Sequence, residues 1–273
     1  FRRVLFRSKA QTAAVTDLNA DSADVNETVT YTKVGSLVPS SSDGNFPGAP
    51  TVVYPNDPSD ATKVTPAGVP TVPGYTAHDP EGHVLTPGSS YQPSDPTKDT
   101  TITYTADNQN GSVSYVDDTT GKTLKTDSIS GTTGSKSSYS TSGNIADYKK
   151  QGYELVTDGY PADLTFDNDD TTDQNFTVHL KHRLTPVNPT APQTPGAPIN
   201  PDEPDGPKWP SSTNYNKTVN ETISYVDQNG HVVAKQHTDS VNFTRTVVVD
   251  NVTGEVITSG AGTTAWTATN GDT

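Results

Sequence analysis

The stretch GSVSYVDDTTGKTLKTDSIS, residues 111–130, decides how the rest of the chain is read. It places Val113 and Tyr115 between polar residues, breaks at DTTGK (118–122), and resumes as KTLKTDSIS. A period of two with β-branched and aromatic residues marks a half-buried strand, and Thr120-Gly121 suits a hairpin turn. After a passage rich in glycine, serine and threonine, NIADYKKQG (144–152) predicts a helix. Asn144 is placed to cap it, Asp147 lies toward the positive pole of its dipole, and Gly152 can take the left-handed stop. YELVTD (153–158) reads as a third strand and QNFTVHLKH (174–182) as a fourth, with Phe176, Val178 and Leu180 on one face and Thr177, His179 and Lys181 on the other. The order strand, strand, helix, strand, strand predicts a small β-grasp, ubiquitin-like fold whose first and last strands pair in parallel at the centre.

Composition says how many such units the chain can hold. Of 273 residues only 29% are hydrophobic, and the formal net charge is −14. A single domain of this length draws nearly half its residues from apolar types, so several small modules are expected instead of one large core. Repeats agree. VNETVTY at 25–31 returns as VNETISY at 219–225, TTITYTAD at 100–107 has the same alternation, and VPGYTAH at 72–78 echoes KQGYELV at 150–156. The predicted class is mainly β with minor α.

Acidity argues against nucleic acid and anionic membrane surfaces as partners. No apolar run reaches the ~18 residues of a membrane span. With no cysteine, disulfides and thiolate zinc sites are excluded. The basic opening FRRVLFRS, residues 1–8, differs from everything after it. It back-translates into a common sequencing adapter and is expected to be non-native.

Four ordered blocks, SVSYVDDTTGKTL, SGTTGS, YKKQGYELV and QNFTVHLKH, together resemble the MucBP module of mucus-binding adhesins from Gram-positive gut bacteria. VNETISYVDQNGHVVAKQ, VNFTRT and DNVTGEV are similar to the opening of the larger module that follows MucBP in such repeats. DGNFPGAP, YPNDP, TKVTP and VPGY at 43–75 resemble the spacer-like module that precedes it. The expected organisation is therefore residues 9–33 as the tail of a preceding module and 34–106 as a proline-rich β module without a helix. A MucBP β-grasp module follows at 107–183, a linker at 184–216, and at 217–273 a second module that continues past the last residue. The resemblance implies a cell-surface, wall-anchored adhesin whose partners are mucin glycoproteins or their glycans. Immunoglobulin binding by strand edges and a passive stalk are the alternatives. Weak single sites would be multiplied by repetition.

The linker has a physical signature of its own. In PVNPTAPQTPGAPINPDEPDGPKWP (186–210) proline recurs at every third position nine times. Polyproline II has three residues per turn, so the prolines would line one edge of a rod about 74 Å long at ~3.1 Å per residue. The expectation is a spacer.

Chemical candidates are few, and no cofactor is called for. Asp167, Asp169, Asp170 and Asp173 offer hard oxygens for calcium but lack the spacing of an EF-hand, so a solvated turn is expected. His179 and His182 lie three apart on a strand, which sends them to opposite faces; both are expected to be exposed. His231 and His237 flank a strand without a third ligand. Neither a GxSxG elbow nor an HExxH helix is present, and no catalytic residue is expected. Tyr115, Tyr153 and Tyr225 are expected in module cores, and the sequons at Asn26 and Asn242 carry little meaning in a Thr/Asn-rich bacterial chain.

Overall fold

The computed structural model describes residues 5–7, 18–26 and 31–269. Contacts divide the chain into two units. One holds the described residues up to 112 together with 128–138 and 163–174; the other holds 113–127, 139–162 and the described residues from 175 onward.

In the first unit, β1 (Leu5–Arg7) pairs antiparallel with β2 (Tyr31–Lys33). There follow β3 (Ser36–Ser40), β4 (Val52–Val53), β5 (Ala67–Gly68), β6 (Tyr75–His78), β7 (Val84–Leu85), β8 (Ser90–Tyr91) and β9 (Thr100–Ala106). The main sheet has the order β4-β3-β9-β6-β7, with β3 and β9 parallel, and β5 pairs with β8 apart from it. Alternation in TTITYTA sends Ile102 and Tyr104 inward, where they meet Leu37 and Tyr54 in a core closed by Val34, Val64 and Val72. The Phe46 ring stacks on Tyr104 with centroids 5.2 Å apart. This proline-rich stretch is thus a β module with its own apolar core, and among the described residues it has no helix.

The opening motif forms β10 (Asn108–Asp117) and β11 (Lys122–Thr132), strands that pass through both units. Helix α1 (Ser142–Lys150), β12 (Tyr153–Asp158) and β13 (Gln174–His182) complete a sheet of order β11-β10-β13-β12. Its first and last strands are neighbours in the middle. Gly121, at φ +75°, makes the hairpin turn, and its N–H donates to the Asp117 carbonyl at 2.7 Å. Helix α1 begins earlier than the sequence suggests. Its N-cap is Thr141 and its first turn carries no acidic residue, so Asn144 and Asp147 do not serve the helix terminus. The Asn144 amide donates instead to the Tyr115 hydroxyl and the Asp127 carboxylate, both at 3.1 Å. Gly152 does take the left-handed stop, at φ +98°.

Beyond β13 the chain continues as β14 (Leu184–Val187), β15 (Asn216–Val226), β16 (Val232–Thr244), β17 (Val247–Asp250), β18 (Val256–Ile257) and β19 (Thr267–Ala268). The proline segment between β14 and β15 is not a rod. The Ile199 N–H donates to the Pro207 carbonyl and the Trp209 N–H to the Ala197 carbonyl, both at 2.9 Å, which folds the segment back on itself. Strand β14 pairs along its whole length with β17, and Val187, Ile199, Tyr215, Val247 and Val249 form one core. A polyproline II helix has no internal hydrogen bonds. Burying each large apolar side chain is worth about 1.5–3 kcal/mol, so the apolar residues set between the prolines decide the conformation.

Strands β15 and β16 form a long antiparallel hairpin that β19 joins only at Phe243 and Thr244. Strand β15 is exposed at every residue. Tyr225, expected in a core, is 43% exposed, because among the described residues no second layer covers the hairpin. No helix among the described residues is long and apolar enough to cross a membrane.

Candidate functional site

Strand parity builds the most polar buried point of the second unit. Along β10, Val113, Tyr115 and Asp117 point inward; along β13, Val178, Leu180 and His182 do the same. Strand β17 buries Val247, Val248 and Val249 and ends on Asp250. The three polar residues meet at these strand ends. His182 Nε2 lies 2.7 Å from Asp117 Oδ2 and its Nδ1 lies 2.6 Å from Asp250 Oδ2. Exposures are 2% for Asp117, 7% for His182 and 7% for Asp250. His182 is therefore buried, which corrects the expectation of an exposed histidine.

Charge follows from this geometry. Burial alone would favour a neutral ring at His182, but the bonds to Asp250 and Asp117 outweigh it and raise the pKa above the ordinary histidine value. Burial also works against a charged Asp117, yet the Thr120 hydroxyl, His182 and the Thr119 N–H hold its carboxyl below the usual range. Only a protonated imidazole can donate to both carboxylates at once. The Tyr153 ring closes one side, edge-on to the imidazole with centroids 5.3 Å apart.

Directly after His182 the backbone ties three elements together. The Arg183 N–H donates to the Gly152 carbonyl and the Asn251 N–H donates to the Arg183 carbonyl, each at 2.9 Å. A Cβ on Gly152 would lie 2.4 Å from the Asn251 carbonyl oxygen, so only glycine fits that approach. The Asn200 amide donates to the same Asn251 carbonyl at 2.8 Å. This floor lies in a cleft of about 300 Å³ that Lys149, Lys150, Arg183, Ile199, Pro201 and Asp202 also line.

The residues singled out from sequence lie elsewhere. Tyr115 and Tyr153 are buried, and the Tyr115 and Tyr139 hydroxyls are 2.6 Å apart. Tyr139 donates in turn to Asp127 at 2.8 Å, and burial first, then these neighbours, raises its pKa. These tyrosines are committed internally. In the acidic loop, Asp170 accepts from the Gln109 amide at 2.6 Å, and Asp169 accepts from the N–H and hydroxyl of Thr171, a contact that lowers its pKa. Among the described residues the one group of three potential ligands within 4.8 Å of one another is Asp79, Glu81 and His83, on an exposed turn. His179 is half-buried, 2.8 Å from Asp118, and the exposed His231 lies 3.3 Å from Asp227. The cleft and its triad were missed in the sequence. The signal for the triad was present, because His182 shares the parity of Val178 and Leu180.

Residues 109–182 match a family model described as a mucin binding domain, and residues 210–273 match one described as a Muc B2-like domain. Among solved structures, the type 2 repeat of the mucus binding protein MUB from Lactobacillus reuteri is 36% identical, with 58% of this chain and 74% of that chain covered and a TM-score of 0.41. The structure described as Mub-RV is 34% identical over 59% of this chain and 73% of that one, with a TM-score of 0.44. No curated protein matches.

Proposed function

We propose, from its membership of the MucBP-type family of mucus-binding repeats, that this chain is a segment of a bacterial surface adhesin that binds mucin glycoproteins through their glycans. The observation that carries the reading is the succession of two matched segments in one chain, a mucin binding domain at 109–182 and then a Muc B2-like domain at 210–273. The sheet order supports a β-grasp reading of the first, since its outermost strands in sequence are neighbours at the centre and the helix falls between the second and third. In this reading the role is adhesive and not catalytic, the setting is extracellular, and the protein is held at the cell wall. Shallow clefts and exposed strands suit weak contacts multiplied by repetition.

The test is adhesion of the purified 273-residue chain to immobilised mucin, to the same mucin stripped of O-glycans, and to immunoglobulin. Binding that disappears with the glycans is expected. Equal binding to stripped mucin overturns the glycan part. No binding to mucin, or binding to immunoglobulin alone, overturns the reading.

A further inference from the structure

We propose that the cleft beside Gly152 accepts an anionic substituent of a glycan, a sugar carboxylate or sulfate ester, held by Lys149, Lys150 and Arg183. The inference rests on the adhesin reading and gives it a location and a ligand chemistry.

Charge is the first argument. The chain carries 32 acidic residues against 18 lysines and arginines, so cations are scarce. Three of them line one cleft of about 300 Å³, against the single carboxylate of Asp202. Four other lysines pair with carboxylates close by, Lys63 with Asp60, Lys98 with Asp95, Lys125 with Asp127 and Lys181 with Glu154, and the rest of those described are scattered singly over the surface instead of lining one cleft. Among the described residues, Lys149, Lys150 and Arg183 enter no ion pair with a carboxylate.

Position is the second. Lysines in the last turn of a helix complement its dipole, and that alone could account for Lys149 and Lys150. It does not account for Arg183, which comes from the link between β13 and β14. Its backbone is held on both sides by the bonds to Gly152 and Asn251, so the guanidinium starts from a fixed point. A planar guanidinium suits the paired oxygens of a carboxylate or sulfate, and flanking lysines add point charges. Ile199 and Pro201 give the cleft an apolar wall against which a sugar ring can lie. Asp202 opposes dense polyanions and leaves room for a single negative group.

The test has two arms. In the first, the whole chain is titrated with sialyllactose, with 6-sulfo-N-acetylglucosamine, with lactose and with sodium sulfate, followed by backbone amide NMR. Shifts at Gly152, Arg183 and Asn251 with either acidic sugar and not with lactose are expected. Shifts with sodium sulfate as large as with the acidic sugars overturn glycan recognition, and silence at those amides overturns the site. In the second arm, the Lys149→Gln/Lys150→Gln double variant and Arg183→Gln are compared with the parent on native, desialylated and desulfated mucin. These side chains are exposed, and circular dichroism checks that each variant folds. A loss of at least tenfold in each variant is expected, larger at low salt because screening weakens at low ionic strength. The enzyme treatment that abolishes parental binding identifies the group. If the parent binds native mucin and the variants bind equally, this site is wrong and the adhesin reading survives; if the parent binds no mucin, the adhesin reading itself fails.

Discussion

His182 Nδ1 lies 2.6 Å from Oδ2 of Asp250, a residue 68 positions later in the chain. The contact joins the end of β13 to the end of β17, and Asp117 closes the other side of the ring at 2.7 Å. Two buried carboxylates so close to one imidazole are tolerable only while the ring carries a proton, which makes this point a source of pH dependence.

The histidine pKa is raised in the folded chain, so its contribution is complete below the unfolded value of 6.5 and is lost as pH rises through the folded pKa. Thermal unfolding followed from pH 6 to pH 9 should show a falling midpoint across that window, and His182→Gln should flatten the fall. At the acid end the sign reverses. Asp117 has a lowered pKa, so its contribution is present above 3.8 and disappears as pH drops through the folded value. A midpoint independent of pH between 6 and 9 in the parent would contradict the first assignment.

Removing the ring altogether should be costly. His182→Ala leaves Asp117 and Asp250 buried without a counter-charge, and breaking a buried ion pair in this way costs about 3–5 kcal/mol. Urea unfolding gives the number; a loss below about 1 kcal/mol, the scale of an exposed pair, would mean that water reaches the triad.

Two glycines separate strain from collision. Gly152→Ala meets both a φ of +98° and the Asn251 carbonyl 2.4 Å from the new Cβ, whereas Gly121 has a φ of +75° and open space around it. Gly121→Ala should cost about 1–2 kcal/mol, the strain of a left-handed residue. Gly152→Ala should cost clearly more, and hydrogen exchange should accelerate at Arg183 and Asn251, whose N–H groups the same backbone contact holds.

The folded proline segment has a test of its own. Ile199→Ala removes a side chain from the core that contains Val187, Tyr215, Val247 and Val249, and such a truncation costs about 2–5 kcal/mol. Amide exchange at Val247 and Val249 should rise with it. An extended spacer would leave both quantities unchanged.

Much of the architecture is local and could be read along the chain. A pleated strand alternates its faces whatever it packs against, so β12 and β13 fall on the residues expected of them. Glycine at positive φ is equally local, and the hairpin at Gly121 and the helix stop at Gly152 were legible for that reason. Helix α1 was found but its start was not, because Asn144 had a better use for its amide on Tyr115 and Asp127, which come from other strands.

What remained depended on partners far away in sequence. A period of three in proline describes a rod only if nothing else claims the chain; Val187 and Ile199 were claimed by Val247 and Val249, and burial of apolar surface outweighed an extended helix that has no cohesion of its own. Alternation around Tyr225 showed which face of a strand is apolar and could not show whether a second layer would cover it. His182 had the parity of a buried residue, but its charge came from Asp250, and the cleft above it from Arg183, Gly152 and Asn251 brought together by three backbone segments. Periodicity is set by the geometry of one segment, whereas burial and charge are set by which segments meet, and that was decided only when the chain closed on itself.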